Sequence, residues 1–112
     1  MARINAREFE QQVRDLCANS SLVVRIIVLT EGIDHTQLRV FLTDHSFIDV
    51  YHHQLSGKTS FAQILDDERI FAADNKRGIW HWHPREDPSQ HVSSGHEITF
   101  EEFMARLENG LK

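Results

Sequence analysis

The spacing of apolar residues along the chain changes period twice. Between Asn5 and Ala18, Phe9, Val13, Leu16 and Cys17 recur at i, i+4, i+7 and i+8, which predicts one apolar helix face starting near Ile4 or Asn5. Asn19-Ser20-Ser21 breaks that pattern. From Leu22 the period falls to two, and Leu22–Thr30, Gln37–Thr43, Ser46–His53, Ser60–Leu65, Arg69–Ala73 and Ile79–His83 read as strands. The separators are short turn signals: Glu31-Gly32, Asp44-His45, Ser56-Gly57, Asp66-Asp67 and the run Asn75 to Gly78. Connections this short favour antiparallel neighbours, because parallel pairing needs long crossovers. Pro84 and Pro88 end the strand region and bracket a loop to about Glu97. A second helix follows, with Thr99 as cap, Glu102 completing a capping-box pattern, an apolar stripe of Phe100, Phe103, Met104 and Leu107, and a stop at Asn109-Gly110. The pattern predicts a single α+β domain over residues 1–112, an antiparallel meander of five to six strands flanked by N-terminal and C-terminal helices.

The first strand does not alternate. Val23, Ile27 and Leu29 oppose Leu22, Val24, Ile26 and Val28, so both its faces are apolar, whereas a half-solvated strand alternates. Either the sheet curls on itself or its second face meets another chain, and a homodimer is the expected form of that contact.

Composition narrows the classes. In 112 residues, 40% are apolar and 26% charged, which excludes a disordered tail. No apolar run approaches the roughly 18 residues of a transmembrane helix, and the charged N-terminal stretch offers no apolar core for a secretory signal. Cys17 stands alone, which fits a cytoplasmic setting. A net charge of −5 opposes tight non-specific nucleic-acid binding, but eight histidines would turn it to +3 if all were protonated.

Candidate chemistry concentrates in Asp74-Asn75-Lys76-Arg77-Gly78-Ile79-Trp80-His81-Trp82-His83-Pro84 and the following Asp87-Pro88-Ser89-Gln90-His91. On a strand His81 and His83 share one face and Trp80 and Trp82 the other. The histidines could serve metal ligation, proton transfer or phosphate binding, or could line a solvated face behind core tryptophans. A zinc site would have to draw on His81, His83, His91 or His96 with an acid such as Asp87. With no cysteine pair and no His-Glu-x-x-His motif, no metal is expected. Asp49, Tyr51 and His53 share a face of another strand. Mid-strand Asp49 is costly to bury alone, so one of the strand arginines Arg25, Arg39 and Arg69 should pair with it. That group reads either as an ion-pair network or as a polar pocket in which arginines hold phosphate and Asp, Tyr or His moves protons. Gly57-Lys58-Thr59-Ser60 lacks the preceding glycine of a nucleotide-binding loop, and Cys17 on an apolar helix face is core packing.

Several segments together resemble the TumE-family toxin components of prokaryotic toxin–antitoxin pairs. They are Phe47-Ile48-Asp49-Val50-Tyr51, Gly57-Lys58-Thr59-Ser60-Phe61-Ala62, Arg69-Ile70-Phe71 with Ala73-Asp74-Asn75, and Gly78-Ile79-Trp80-His81-Trp82-His83-Pro84. Glu86 to Val92 and Ile98-Thr99-Phe100-Glu101-Glu102-Phe103 complete the likeness, which covers about half the chain. The resemblance implies a small cytoplasmic protein neutralised by a helix-turn-helix antitoxin, and it carries no assignment of catalytic residues.

Two functions compete. The first is a metal-independent ribonuclease with no cofactor. There His83, His81 or His91 would do acid–base work beside Asp49 and Tyr51, and Arg69, Lys58 and Arg77 would hold the RNA phosphate. The second is a non-enzymatic module that binds an antitoxin-like partner through an apolar sheet face, with the His/Trp cluster as a structural corner.

Overall fold

The computed structural model describes residues 4–110; the outermost residues of the N-terminal stretch and the last two residues of the chain lie outside that range. Helix α1 (Ala6–Ala18) is followed by strands β1 (Val23–Glu31), β2 (His35–Leu42), β3 (Phe47–His53), β4 (Thr59–Leu65) and β5 (Glu68–Asp74). A 3-10 turn at Lys76–Gly78 leads to β6 (His81–His83) and β7 (Val92–Ser93), and helix α2 (Phe100–Gly110) closes the order. All neighbours pair antiparallel in one seven-stranded sheet whose spatial order is the chain order. The expected α+β meander is therefore present, with one or two strands more than the sequence pattern counted. The addition is β7, where the loop after Pro88 returns to pair Val92 with Trp82. The last full strand of the pattern starts later, at His81 in place of Ile79, with Ile79 serving as the C-cap of the turn at Lys76–Gly78.

Local chemistry sets these boundaries. Asn5 caps α1 by accepting the Glu8 N–H at 2.8 Å, and Thr99 caps α2 by accepting from Glu102 N–H at 3.1 Å. The reciprocal half of the capping box is not made: the Glu102 carboxylate turns instead to His96 Nε2 at 3.1 Å. Asp66 and Asp67 both take positive φ, 52° and 66°, in the two-residue hairpin between β4 and β5. Short acidic side chains tolerate that left-handed region, which a tight hairpin of this kind demands.

Both helices lie on one face of the sheet. Phe9, Val13 and Cys17 of α1 and Phe100, Phe103, Met104 and Leu107 of α2 bury against Leu38, Val40, Ile48, Val50, Phe61, Phe71 and Trp82. Burial pushes the Cys17 thiol up to about 11, so it is core packing as the helix pattern indicates. The doubly apolar pattern of the first strand follows in part from its pairing. β1 carries register shifts between Val23 and Arg25 and between Val28 and Thr30. These bulges rephase the strand, so Val23, Ile26 and Val28 pack toward the core while Val24 and Leu29 stand 62% and 42% exposed at a free sheet edge.

His52 is the one histidine built into this layer. It stacks on Phe9 at 4.5 Å, with Nε2 at 3.0 Å from the Ile4 carbonyl and Nδ1 at 2.8 Å from Thr59 Oγ1. Burial is the main cause holding its pKa below the ordinary 6.5. The unfolded chain then binds a proton that the folded one refuses, so His52 contributes stability above about pH 6.5 that is lost as pH falls below it. Urea unfolding at about pH 7.5 and 5.5 should show a smaller acid loss for His52→Gln than for the parent chain. Equal losses in both would remove His52 as the cause.

Candidate functional site

The face opposite the helices carries polar residues together with Phe41, Phe47 and Tyr51. Register places Tyr51, Ser60, Asp74 and His81 in one row across β3 to β6, and Asp49, Ala62, Ala72 and His83 in the next. Trp80 and Trp82 do face the helix layer, stacking on Phe61 at 6.0 Å and on Phe71 at 5.7 Å. His81 and His83 thus share the other face, as alternation requires.

Asp74 is a candidate site residue that the sequence pattern leaves without a role. It sits directly opposite His81 in the β5–β6 pair and reaches diagonally to His83, whose Nε2 lies 2.9 Å from Asp74 Oδ2. A carboxylate can only accept, so His83 Nε2 is the donor of this bond, and in the neutral tautomer that keeps it Nδ1 is the acceptor nitrogen. Nδ1 of His83 and Nδ1 of His81 are both buried with no hydrogen-bond partner among the described residues. His91 packs over both rings, 4.5 Å from His83 and 5.7 Å from His81 between centroids, in edge-on geometry. The signal that could have found this dyad is hairpin register: a tight turn after Asn75 brings Asp74 beside the histidine strand.

His83 does not project at a loop mouth, as a strand end before Pro84 suggests. Its side chain is 3% exposed. The chain after Pro84 folds back over β5 and β6, with Arg69 Nη2 donating to the Pro88 carbonyl at 3.0 Å and His91 closing on His83. Arg69 therefore anchors a loop and is not held toward an open phosphate site. Lys58 and Arg77 come to the other end of the sheet, where Asn75 accepts from Thr59 N–H at 2.8 Å and donates to the Gly57 carbonyl at 2.8 Å, tying their two turns together. Tyr51 lies at that end too, under the Lys58 ammonium at 6.0 Å, but three strands and roughly 14 Å from His81.

Asp49 has the expected cationic partner, Arg39, at 3.0 Å. The pair is not buried, since its side chains are 33% and 31% exposed, and it stands three strands from His83 and outside the histidine cluster. Asp49→Ala should therefore cost no more than about 1 kcal/mol, with the loss shrinking at high salt. Denaturant titrations at low and high salt check this, and a cost of about 3 kcal/mol, as for a buried pair, would contradict it.

The remaining residues of the open face form a stacking surface. Arg25 sits over Phe41 at 4.8 Å and Arg39 over Phe47 at 4.2 Å, and the two phenylalanines touch at 5.8 Å. Among the described residues no group of three or more His, Cys, Asp or Glu is arranged to hold a metal ion. The wider zinc set is dispersed: His96 pairs with Glu102, and Asp87 accepts from Ser89. Among the described residues no helix is long and apolar enough to cross a membrane.

The chain matches no protein-family model, no curated protein and no solved structure.

Proposed function

We propose that this chain is a cytoplasmic toxin component of a toxin–antitoxin pair that binds single-stranded RNA on its open sheet face and cleaves it without a metal. The observation that carries the reading is the continuity of that face. Half-buried Phe41, Phe47 and Tyr51, each with a cation over its ring, lead across the sheet to the Asp74–His83–His91 cluster. Aromatic rings beside cations on an antiparallel sheet suit unstacked bases and their phosphates. The −5 net charge makes such binding dependent on this local patch, and so steeply salt-sensitive.

In the cleavage step, His83 Nδ1 takes the proton of a ribose 2′-hydroxyl, and the 2′-oxygen attacks the adjacent phosphorus. The P–O5′ bond breaks, and His91 in its cationic form gives a proton to the departing 5′-oxygen. The products are a 2′,3′-cyclic phosphate and a 5′-hydroxyl, and no oxidant, metal or further reactant is consumed. Lys58 and Arg77 supply charge for the RNA backbone at the other end of the sheet. The stretch from Pro84 to Gln90 has to lift for RNA to reach His83 while His91 stays beside it. A helix-turn-helix antitoxin is the neutralising partner, and the free β1 edge is where a second copy pairs to form a homodimer.

Incubating the protein with single-stranded RNA in excess chelator tests this. Fragments ending in 2′,3′-cyclic phosphate, lost in folded His91→Ala, support it; intact RNA with no growth inhibition on expression overturns it. The burial of His83 favours one second reading, a non-enzymatic binding module with His83 as a structural corner. Under that reading His83→Ala unfolds the protein and has no separate effect on RNA.

A further inference from the structure

A second concave feature lies on the opposite, helix-bearing face. The helices meet near their C-terminal ends, where Ser20 Oγ lies 3.4 Å from Glu108 Oε1. Toward the N-terminal end of α2 a groove of ≈ 930 Å³ lies between the helices, with half-buried Trp80 and buried Phe61 in its floor. Phe9, Val13 and Leu16 form the α1 wall and Phe100 borders it on the α2 side. The α1 wall runs from Phe9 to Leu16, a rise of about 10 Å along the helix.

Its charge is one-sided. Asp15, Glu97 and Glu101 line the groove, and among the described residues no Lys or Arg does. His52, also in the lining, adds no positive charge near neutral pH, since burial disfavours its cationic form. An aromatic floor under an acidic rim is complementary to an apolar surface flanked by cations.

We propose that this groove binds an amphipathic helix of a partner protein, its apolar side on the half-buried Leu16 and Trp80 and its lysines or arginines against Asp15, Glu97 and Glu101. The length of the α1 wall matches two turns of such a helix, presenting anchors at i, i+3 or i+4 and i+7. The site is separate from the open face and requires no catalysis, so it stands or falls independently of RNA cleavage.

The probe is a synthetic leucine–lysine amphipathic helix about four turns long, titrated into the full chain and followed by amide and indole NMR shifts. Saturable shifts confined to α1, Trp80 and the start of α2 are expected. The double variant Glu97→Lys/Glu101→Lys should weaken binding about tenfold, because each reversal places like charge against the lysines. Glu68→Lys/Glu86→Lys changes net charge equally at exposed positions away from the groove and should leave affinity within about twofold. Equal weakening by both doubles would mean bulk charge attraction and overturn the proposal. So would undisturbed groove resonances at millimolar peptide, or equal affinity for a leucine–glutamate helix. Benzyltrimethylammonium binding there as tightly as the peptide would reassign the groove to small organic cations. Concentration-dependent shifts of the same residues without peptide would reassign it to a second copy of the chain.

Discussion

Phe103→Ala should destabilise the fold by about 4 kcal/mol, enough to leave much of the protein unfolded at moderate temperature. Phe103 is fully buried and is the ring on which the α2 side of the core converges. It stacks on Phe71 at 4.9 Å, on Trp82 at 6.3 Å and against Phe61 at 5.3 Å, so it joins β4, β5 and β6 to one helix position. Its truncation removes the transfer energy of a phenyl group and leaves a void between three large rings whose strands are hydrogen-bonded in place and cannot close it. Exposed Arg106, one turn away, already lies over Trp82 at 4.6 Å and cannot fill a cavity on the buried side. Denaturant unfolding gives the measurement. A loss below about 1 kcal/mol would mean the helix is held by its cap and ends and not by this ring.

Phe103 is legible in the residue pattern alone, because helix spacing sets it in a stripe with Phe100, Met104 and Leu107, all four of which are buried. The same holds for α1 and for the alternation of β2 and β3, where one face of each strand is buried throughout. Periodicity reports burial when a segment keeps a single phase, and these segments do. It misreports β1, since two bulges shift the phase within nine residues and a bulge is a property of the pairing partner as much as of the strand. β7 has no sequence signal, because two exposed residues become a strand only where the loop happens to return beside Trp82. The candidate site divides in the same way. The shared face of His81 and His83 follows from alternation alone. The burial of His83 and the use of Arg69 as a loop anchor depend on long-range folding of the chain after Pro84, which no local spacing encodes. Arg39 is one of three strand arginines that the sequence offers to Asp49, and hairpin register across Asp44-His45 singles it out.

Under the proposed ribonuclease function, Asp74→Asn should reduce RNA cleavage by about 10²–10⁴-fold while leaving the protein folded. The two carboxylate oxygens of Asp74 have different partners. Oδ1 accepts the Lys76 backbone N–H at 3.1 Å, and Oδ2 faces His83 Nε2 at 2.9 Å. In the variant the amide oxygen must take the Oδ1 place, because a backbone N–H cannot donate to an NH2 group. The amide nitrogen then faces His83 Nε2 and donates to it, which drives the imidazole proton to Nδ1. That is the nitrogen assigned to accept the ribose proton, so the base is blocked with almost no change in shape or packing. Asp74→Ala is the informative comparison. It leaves Nε2 without a partner but forces no tautomer, so it should retain more cleavage than the isosteric asparagine even if it is less stable. If the dyad only holds the β5–β6 corner together, the order reverses: asparagine, which keeps a hydrogen bond in place, would behave like the parent chain and alanine would be the damaging change. Cleavage rates on single-stranded RNA, measured beside unfolding midpoints for both variants, separate the two cases, and parent-level cleavage by Asp74→Asn would end the role of His83 Nδ1 as base.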